Sequence, residues 1–276
     1  MNLILDFAPP LVFAALGGVL SERAGVVNIG LEGMMRFGAF AAAAGSIVSG
    51  SPWIGLACGA LAGAAAAAVH ALLSLRFRAD QVVSGIALNL VALGLVTYLL
   101  QSIFGSSGVS PNAASLPRDG FGHSALAYAA LIAPLVFHLW LLRTPAGLRV
   151  RAIGEHPIAT ATLGIRVLRL RAACVLSSGA LAGIGGATLS VGILGQFDSR
   201  MPAGQGFMAL AAMVFGRWTP LGAAAAAFLF SAAEALQRHA LPYALTLLLL
   251  ALRVGRTRAP AADGVPYDPE DQAVQP

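Results

Sequence analysis

Long apolar runs separated by short polar breaks recur along the chain, at 8–20, 27–49, 54–74, 82–104, 124–142, 172–195, 206–216, 219–236 and 241–254. A helix needs about 20 mostly apolar residues to cross the hydrocarbon core of a bilayer. The pattern therefore predicts an all-α, polytopic transmembrane bundle of about 8 to 10 spans. Two features disturb its regularity. The run 27–49 is long and glycine-rich, and 206–216 and 241–254 are short. Broken or re-entrant helices are expected there, of the kind a membrane tolerates only where the backbone is buried in protein or lines a cavity.

The polar breaks orient the spans. The loop 143–171 carries Arg143, Arg149, Arg151, Arg166, Arg169 and Arg171, and further arginines sit at 76, 78, 217, 253, 256 and 258. Basic residues concentrate in cytoplasmic loops, so these breaks are predicted to face the cytoplasm. The Gly/Ser/Pro-rich loop 105–123, with Arg118 as its only base, is predicted to face outward. Alternating the spans between these anchors places the N-terminus outside and the C-terminus inside, with nine crossings. Residues 1–258 read as one transmembrane domain with a cytoplasmic loop at 143–171. Residues 259–276, rich in Pro, Asp and Gln, read as a disordered tail.

Composition narrows the function. The chain is 58% hydrophobic and 11% charged, with mean hydropathy +0.79; a soluble domain carries about 25% charged residues. The net charge is +5, all of the basic residues being arginine. Most of these arginines cluster in short loops between apolar runs and form no soluble basic face, which argues against nucleic-acid binding. Without a lysine there is no Walker-type phosphate loop. Ser84 and Ser178 precede glycines but lack a nucleophile-elbow setting, and no His, Cys or carboxylate group has metal-ligand spacing. No catalysis, cofactor or metal is expected in this chain. Cys58 and Cys174 fall in apolar runs and read as small hydrophobes without a disulfide.

Four places carry candidate function. Asn28, Glu32 and Arg36 repeat at four-residue spacing, which on a continuous helix puts them on one face. Gly25, Gly30 and Gly33 weaken such a helix, and ionisable residues inside a span mark a pathway by default. The competing reading is a Glu32–Arg36 ion pair that only stabilises the segment. Asn89, polar in mid-span, faces either the pathway or another helix. Asp198 and Arg200 precede Gly204 and Gly206 and a short apolar half-span, a second break like the first. Gly154, Glu155, His156 and Pro157 lie in the long basic loop, where a proline-initiated helix across the membrane face is expected to dock a partner. Gly59/Gly63 and Gly179/Gly183 are small-xxx-small pairs suited to close helix approach. His70 and Glu234 lie near span ends, within reach of water.

SERAGVVNIGLEGMMRFGAF, ADQVVSGIALN, LRVRAIGEHPIATATLGI, GQGFMALAAMVFGRWTPLGA and the final GRTRAPAADGVPYD occur in this order from about Leu11 to Asp268. Together they resemble the bacterial branched-chain amino acid, ribose and nucleoside permeases of ATP-binding-cassette importers, the nucleoside branch in particular. The resemblance implies an inner-membrane subunit that forms a translocation pathway for a small neutral polar solute, with nucleosides first and simple sugars or branched-chain amino acids as alternatives. It implies separate ATPase subunits that use the ATP, a second permease subunit in a heterodimer, and an extracytoplasmic solute-binding protein. By the same resemblance, Asn28 to Glu32 belong to the pathway and Gly154, Glu155 and Pro157 to a coupling helix over 154–163. A stand-alone secondary transporter is the rival; it needs carboxylates at the midplane, where only Glu32 and Glu234 are available.

Overall fold

The computed structural model describes residues 2–120, 122–236 and 264. The expected span at 241–254 lies outside the described residues, as does the expected tail apart from Gly264. Among the described residues the chain forms ten α-helices and two isolated β-bridges. The helices are α1 (Asn2–Arg23), α2 (Leu31–Ser49), α3 (Pro52–Ala71), α4 (Gln81–Phe104), α5 (Ala125–Arg143), α6 (Pro145–Glu155), α7 (Pro157–Thr162), α8 (Val167–Ala187), α9 (Gln205–Phe215) and α10 (Pro220–Leu236). α3 and α8 each run on as a π-helical stretch, at Leu72–Arg76 and Thr188–Leu194. Among the described residues, five helical segments are long and apolar enough to cross a bilayer: Leu5–Arg23, Pro52–Arg76, Gln81–Phe104, Ala125–Arg143 and Val167–Leu194. The result is a polytopic membrane bundle.

Three helices cross at its centre with no side chains between them. A Cβ on Gly63 of α3 would strike the Gly179 carbonyl of α8, one on Gly183 the Gly59 carbonyl, and one on Gly38 of α2 the backbone of Gly183. The small-xxx-small pairs thus pack within the bundle. Where lipid offers no hydrophobic drive between helices, backbone-to-backbone van der Waals contact is what holds them. α1 completes the core and is buried along most of its length. α4 and α5 are peripheral. Large apolar residues such as Val83, Leu90, Tyr98, Ile132 and Val136 are more than 45% exposed on them, as a lipid-facing surface requires.

The arginine-rich breaks gather at one end. Arg76 and Arg169 line one apolar groove there, and Arg23 and Arg151 line a small cavity with Trp218. The loop before α5 and the chain after α8 meet at the opposite end. Ser110 and Ala113 donate to the carbonyls of Phe197 and Gly195 at 2.9 and 2.8 Å, and Leu116 donates to Val191 O at 2.9 Å. Ser199 returns a bond to Gly108 O at 2.8 Å. Phe197 is fully buried under this strap, edge-on to Phe40, with ring centroids 5.5 Å apart.

Two expectations need correction. The run 27–49 is helical only from Leu31; residues 24–30 are irregular. Gly25 at φ 80° takes a left-handed turn that ends α1 cleanly. Asn28 therefore does not share a helical face with Glu32 and Arg36. The basic loop holds two helices instead of one at 154–163. Gly154 and Glu155 end α6, His156 is the corner, and Pro157 opens α7, since a proline at a first helical position forfeits no bond. α6 itself starts where the Thr144 hydroxyl accepts from Gly147 N at 3.1 Å.

Candidate functional site

Residues 24–30 form an irregular backbone segment inside the bundle, mostly buried. Buried N–H and C=O groups need partners, and side chains from three helices supply them. Gln81 Oε1 of α4 accepts from Val27 N at 2.7 Å, and His70 Nε2 of α3 lies 3.0 Å from Val27 O. A carbonyl only accepts, so Nε2 carries the imidazole proton and Nδ1 accepts from the Ser84 hydroxyl at 3.0 Å. His70 is fully buried and does not reach water. Asn89 of α4 braces the far end of the break. Its Oδ1 accepts from Gly33 N at 2.8 Å and its Nδ2 donates to Ile29 O at 3.0 Å. Asn28 is fully buried and donates from Nδ2 to Ser178 Oγ of α8 at 3.0 Å, while its Oδ1 has no partner.

The second break meets the first. α9 begins after Gly204, which sits at φ 89° and brings no capping side chain of its own. Glu32 of α2 supplies the cap: Oε1 accepts from Gly204 N at 2.8 Å and Oε2 from Gly206 N at 2.7 Å. The carboxylate thus satisfies two amides at a helix start and lies at the positive end of the α9 dipole. A Cβ on Gly206 would meet the Glu32 backbone at 2.5 Å, so only glycine lets the two segments approach. One turn along α2, Arg36 Nη1 donates to Ser199 O at 2.6 Å. The hydrogen bonds of both side chains go not to each other but across to the 199–206 segment. Glu32, Arg36 and Asn89 are engaged with protein partners, and the structure brings them, with Asn28, around the junction of the two breaks.

At the basic end, α6 lies on the end of α1 and on the α9–α10 turn. A Cβ on Gly154 would strike the Arg23 carbonyl, so Gly154 is an internal contact and leaves Glu155 and His156 exposed beside a half-buried Pro157. Arg23 Nε donates to Trp218 O at 2.7 Å, and Trp218 Nε1 donates to Glu22 Oε2 at 2.6 Å in a buried setting. Arg217 and Trp218 both have positive φ, 57° and 52°, an uncommon backbone for side-chain-bearing residues. The basic loop therefore meets the residues just before the first break through Gly154, and its Arg151 lines a cavity with Trp218, just after the half-span.

Residues 1–254 match the family model described as branched-chain amino acid transport system / permease component. The chain belongs to this permease family. It is 39% identical to the guanosine ABC transporter permease protein NupQ of Bacillus subtilis, over 95% of this chain and 94% of NupQ. It is 38% identical to the nucleoside ABC transporter permease protein NupC of Lactococcus lactis, over 96% and 95%. It is 34% identical to the putative glucose ABC transporter permease protein TsgC13 of Haloferax volcanii, over 90% and 79%.

Several of the permease's structural residues were invisible to sequence reading. Gln81, Ser178, Glu22, Trp218 and Gln205 carry no spacing signal, because their partners lie 54, 150, 196, 196 and 29 residues away. The one hint was polarity: each is a polar or amphipathic residue within or beside an apolar run.

Proposed function

We propose that this permease forms the translocation pathway of an importer whose solute is a nucleoside and whose energy comes from separate ATPase subunits. The observation that carries the solute is the near full-length likeness to permeases named for guanosine and for nucleosides. The glucose permease relative supports a monosaccharide as the second reading. The pathway lies at the junction of the two breaks, beside Asn28, Glu32, Arg36 and Asn89. Irregular backbone at membrane depth is a recurring way to build such a site.

The basic end faces the cytoplasm of a bacterial inner membrane, and the C-terminus emerges there, in keeping with the arginine distribution. An ATPase subunit docks on the exposed surface of α6 and α7, at Glu155, His156, Ala159 and Leu163. Leu163 is 79% exposed, as an uncovered docking residue would be. ATP binding moves that surface, and the movement passes through Gly154 to the end of α1. A second permease covers the outward faces of α9 and α10, where Phe207, Leu221 and Leu229 are 48%, 41% and 44% exposed. A solute-binding protein delivers from the strap end. A stand-alone ion-coupled carrier has weak support here, since both oxygens of Glu32 already serve backbone amides.

The test is a pull-down of this chain from gently solubilised membranes, joined to uptake of labelled nucleosides, monosaccharides and branched-chain amino acids. Recovery of an ATPase and a second permease, with ATP-dependent nucleoside uptake, is the expected result. A chain recovered alone, with uptake that collapses under a protonophore but survives ATP depletion, would overturn it.

A further inference from the structure

The start of α9 holds a side-chain pair that neither the Glu32 cap nor the docking loop uses. Gln205 is 7% exposed, and its Nε2 donates to Glu234 Oε1 of α10 across 3.4 Å. That single bond leaves Gln205 Oε1 and Glu234 Oε2 buried and without a partner. Both orphan atoms are acceptors. The amides on either side of Gln205, those of Gly204 and Gly206, are committed to Glu32. Buried polar atoms are rarely left unpaired, and these two adjoin the second chain break within the membrane. Glu234 is only half-buried, so the pair lies at the rim of the bundle and not in its core.

We propose that Gln205 and Glu234 recognise the hydroxyl groups of the transported solute, the sugar hydroxyls when that solute is a nucleoside. This rests on the reading of the chain as a solute pathway. The chemistry is selective. The free amide oxygen of Gln205 and the free carboxylate oxygen of Glu234, on side chains joined through Nε2 and Oε1, accept two O–H donors, and a vicinal diol presents two donors on adjacent carbons. A branched-chain amino acid brings only a single ammonium as donor and no pair of hydroxyls on adjacent carbons. Both acceptors are closed off in this conformation, so recognition belongs to one in which the surroundings of α9 and α10 open.

The experiment compares uptake of uridine, 2′,3′-dideoxyuridine, ribose and leucine by cells whose only copy of this chain is wild type, Gln205→Leu or Glu234→Gln. Each variant is normalised to its membrane abundance, and each solute is expressed as variant over wild type, so that selection by a delivering protein cancels. Uridine uptake is expected to fall about tenfold in both variants, the effect of stranding one polar partner. Dideoxyuridine uptake, which lacks the diol, is expected to change less than about twofold. Glu234→Gln is close to isosteric and guards against a folding defect. Equal losses for uridine and dideoxyuridine would overturn the proposal. If the wild type takes up ribose and no nucleoside, the nucleoside reading fails, and the same variants must then lose ribose uptake. Uptake of leucine alone would overturn the recognition role outright.

Discussion

Removing the Glu32 carboxylate should be among the most damaging single changes in this permease. In Glu32→Ala, the Gly204 and Gly206 amides lose acceptors held at 2.8 and 2.7 Å, the first in a part-buried setting and the second in a buried one. A buried donor left unsatisfied costs about 1–3 kcal/mol, so the two together cost about 4 kcal/mol. For a chain of this size each 1 kcal/mol moves the melting midpoint by about 2–4 °C, which predicts a fall of about 8–16 °C. Glu32→Gln keeps one acceptor and turns an amide NH2 toward the other donor, so about half of that loss is expected. The assay is thermal unfolding in one detergent at one scan rate, because irreversible unfolding makes the midpoint rate-dependent. The order wild type, Gln, Ala should appear in the melts whether or not solute is present. If Glu32→Ala melts within about 2 °C of wild type, the carboxylate does not hold α9, and its role must be sought in solute or ion contact instead.

Gly183→Ala places a methyl against the Gly59 carbonyl and should cost about 1–3 kcal/mol by overpacking, read as lost monodisperse protein. Gly94→Ala, where a Cβ meets nothing, should be neutral or stabilising by up to about 1 kcal/mol. Asn89→Ala strands Gly33 N and Ile29 O and should speed amide exchange across 24–33 by at least about tenfold; unchanged exchange there would refute the bracing role. At the strap end, the hydrogen bond from Arg200 holds the Asp198 carboxyl below the usual carboxylate range. A depressed carboxyl stabilises the turn above its unfolded pKa of about 4 and loses that effect as pH falls through the folded value. Protection of the Arg200 amide, bonded to Asp198 Oδ1 at 2.8 Å, should therefore drop under acid, and also in high salt since the pair is exposed. In Asp198→Asn the acid dependence should vanish.

The parts of the fold legible in the sequence are those governed by short-range pattern. Span periodicity located α3, α4, α5 and α10 to within a few residues. Two glycine pairs pointed to close helix approach without telling which helices would meet, and the brevity of 206–216 announced a half-span. The start of α2 was misplaced because the apolar pattern of Val26, Val27 and Ile29 continues through the break. What ends the helix is the left-handed Gly25 and the side chains of Gln81, His70 and Asn89, which make the non-helical backbone affordable. The basic loop hid α6 for a different reason: that helix is short and amphipathic and rests on α5 and α1, so its stability is tertiary. For the candidate site, Asn28, Glu32, Arg36 and Asn89 stood out as polar residues in apolar runs. That Glu32 would reach Gly204 and Gly206 could not be read, since nothing local links positions 172 and 174 residues apart.

That separation has a consequence for how the protein is made. α2 carries Glu32 and Arg36 and is not among the five segments long and apolar enough to cross a bilayer. Both charges lie in the first two turns of α2, where they hold that end toward the interface until they are paired, so α2 is a poor guest of the membrane when it leaves the ribosome. The amides that satisfy Glu32 emerge 172 and 174 residues later. At about 5–20 residues per second, that is a delay of roughly ten to thirty seconds. During that interval the nascent chain must shelter two charges with only its first spans, or hold α2 at the interface until α9 arrives. A chain released before Gly204 lacks both amides that Glu32 accepts from, which makes the late half-span the step that commits α2 to its place.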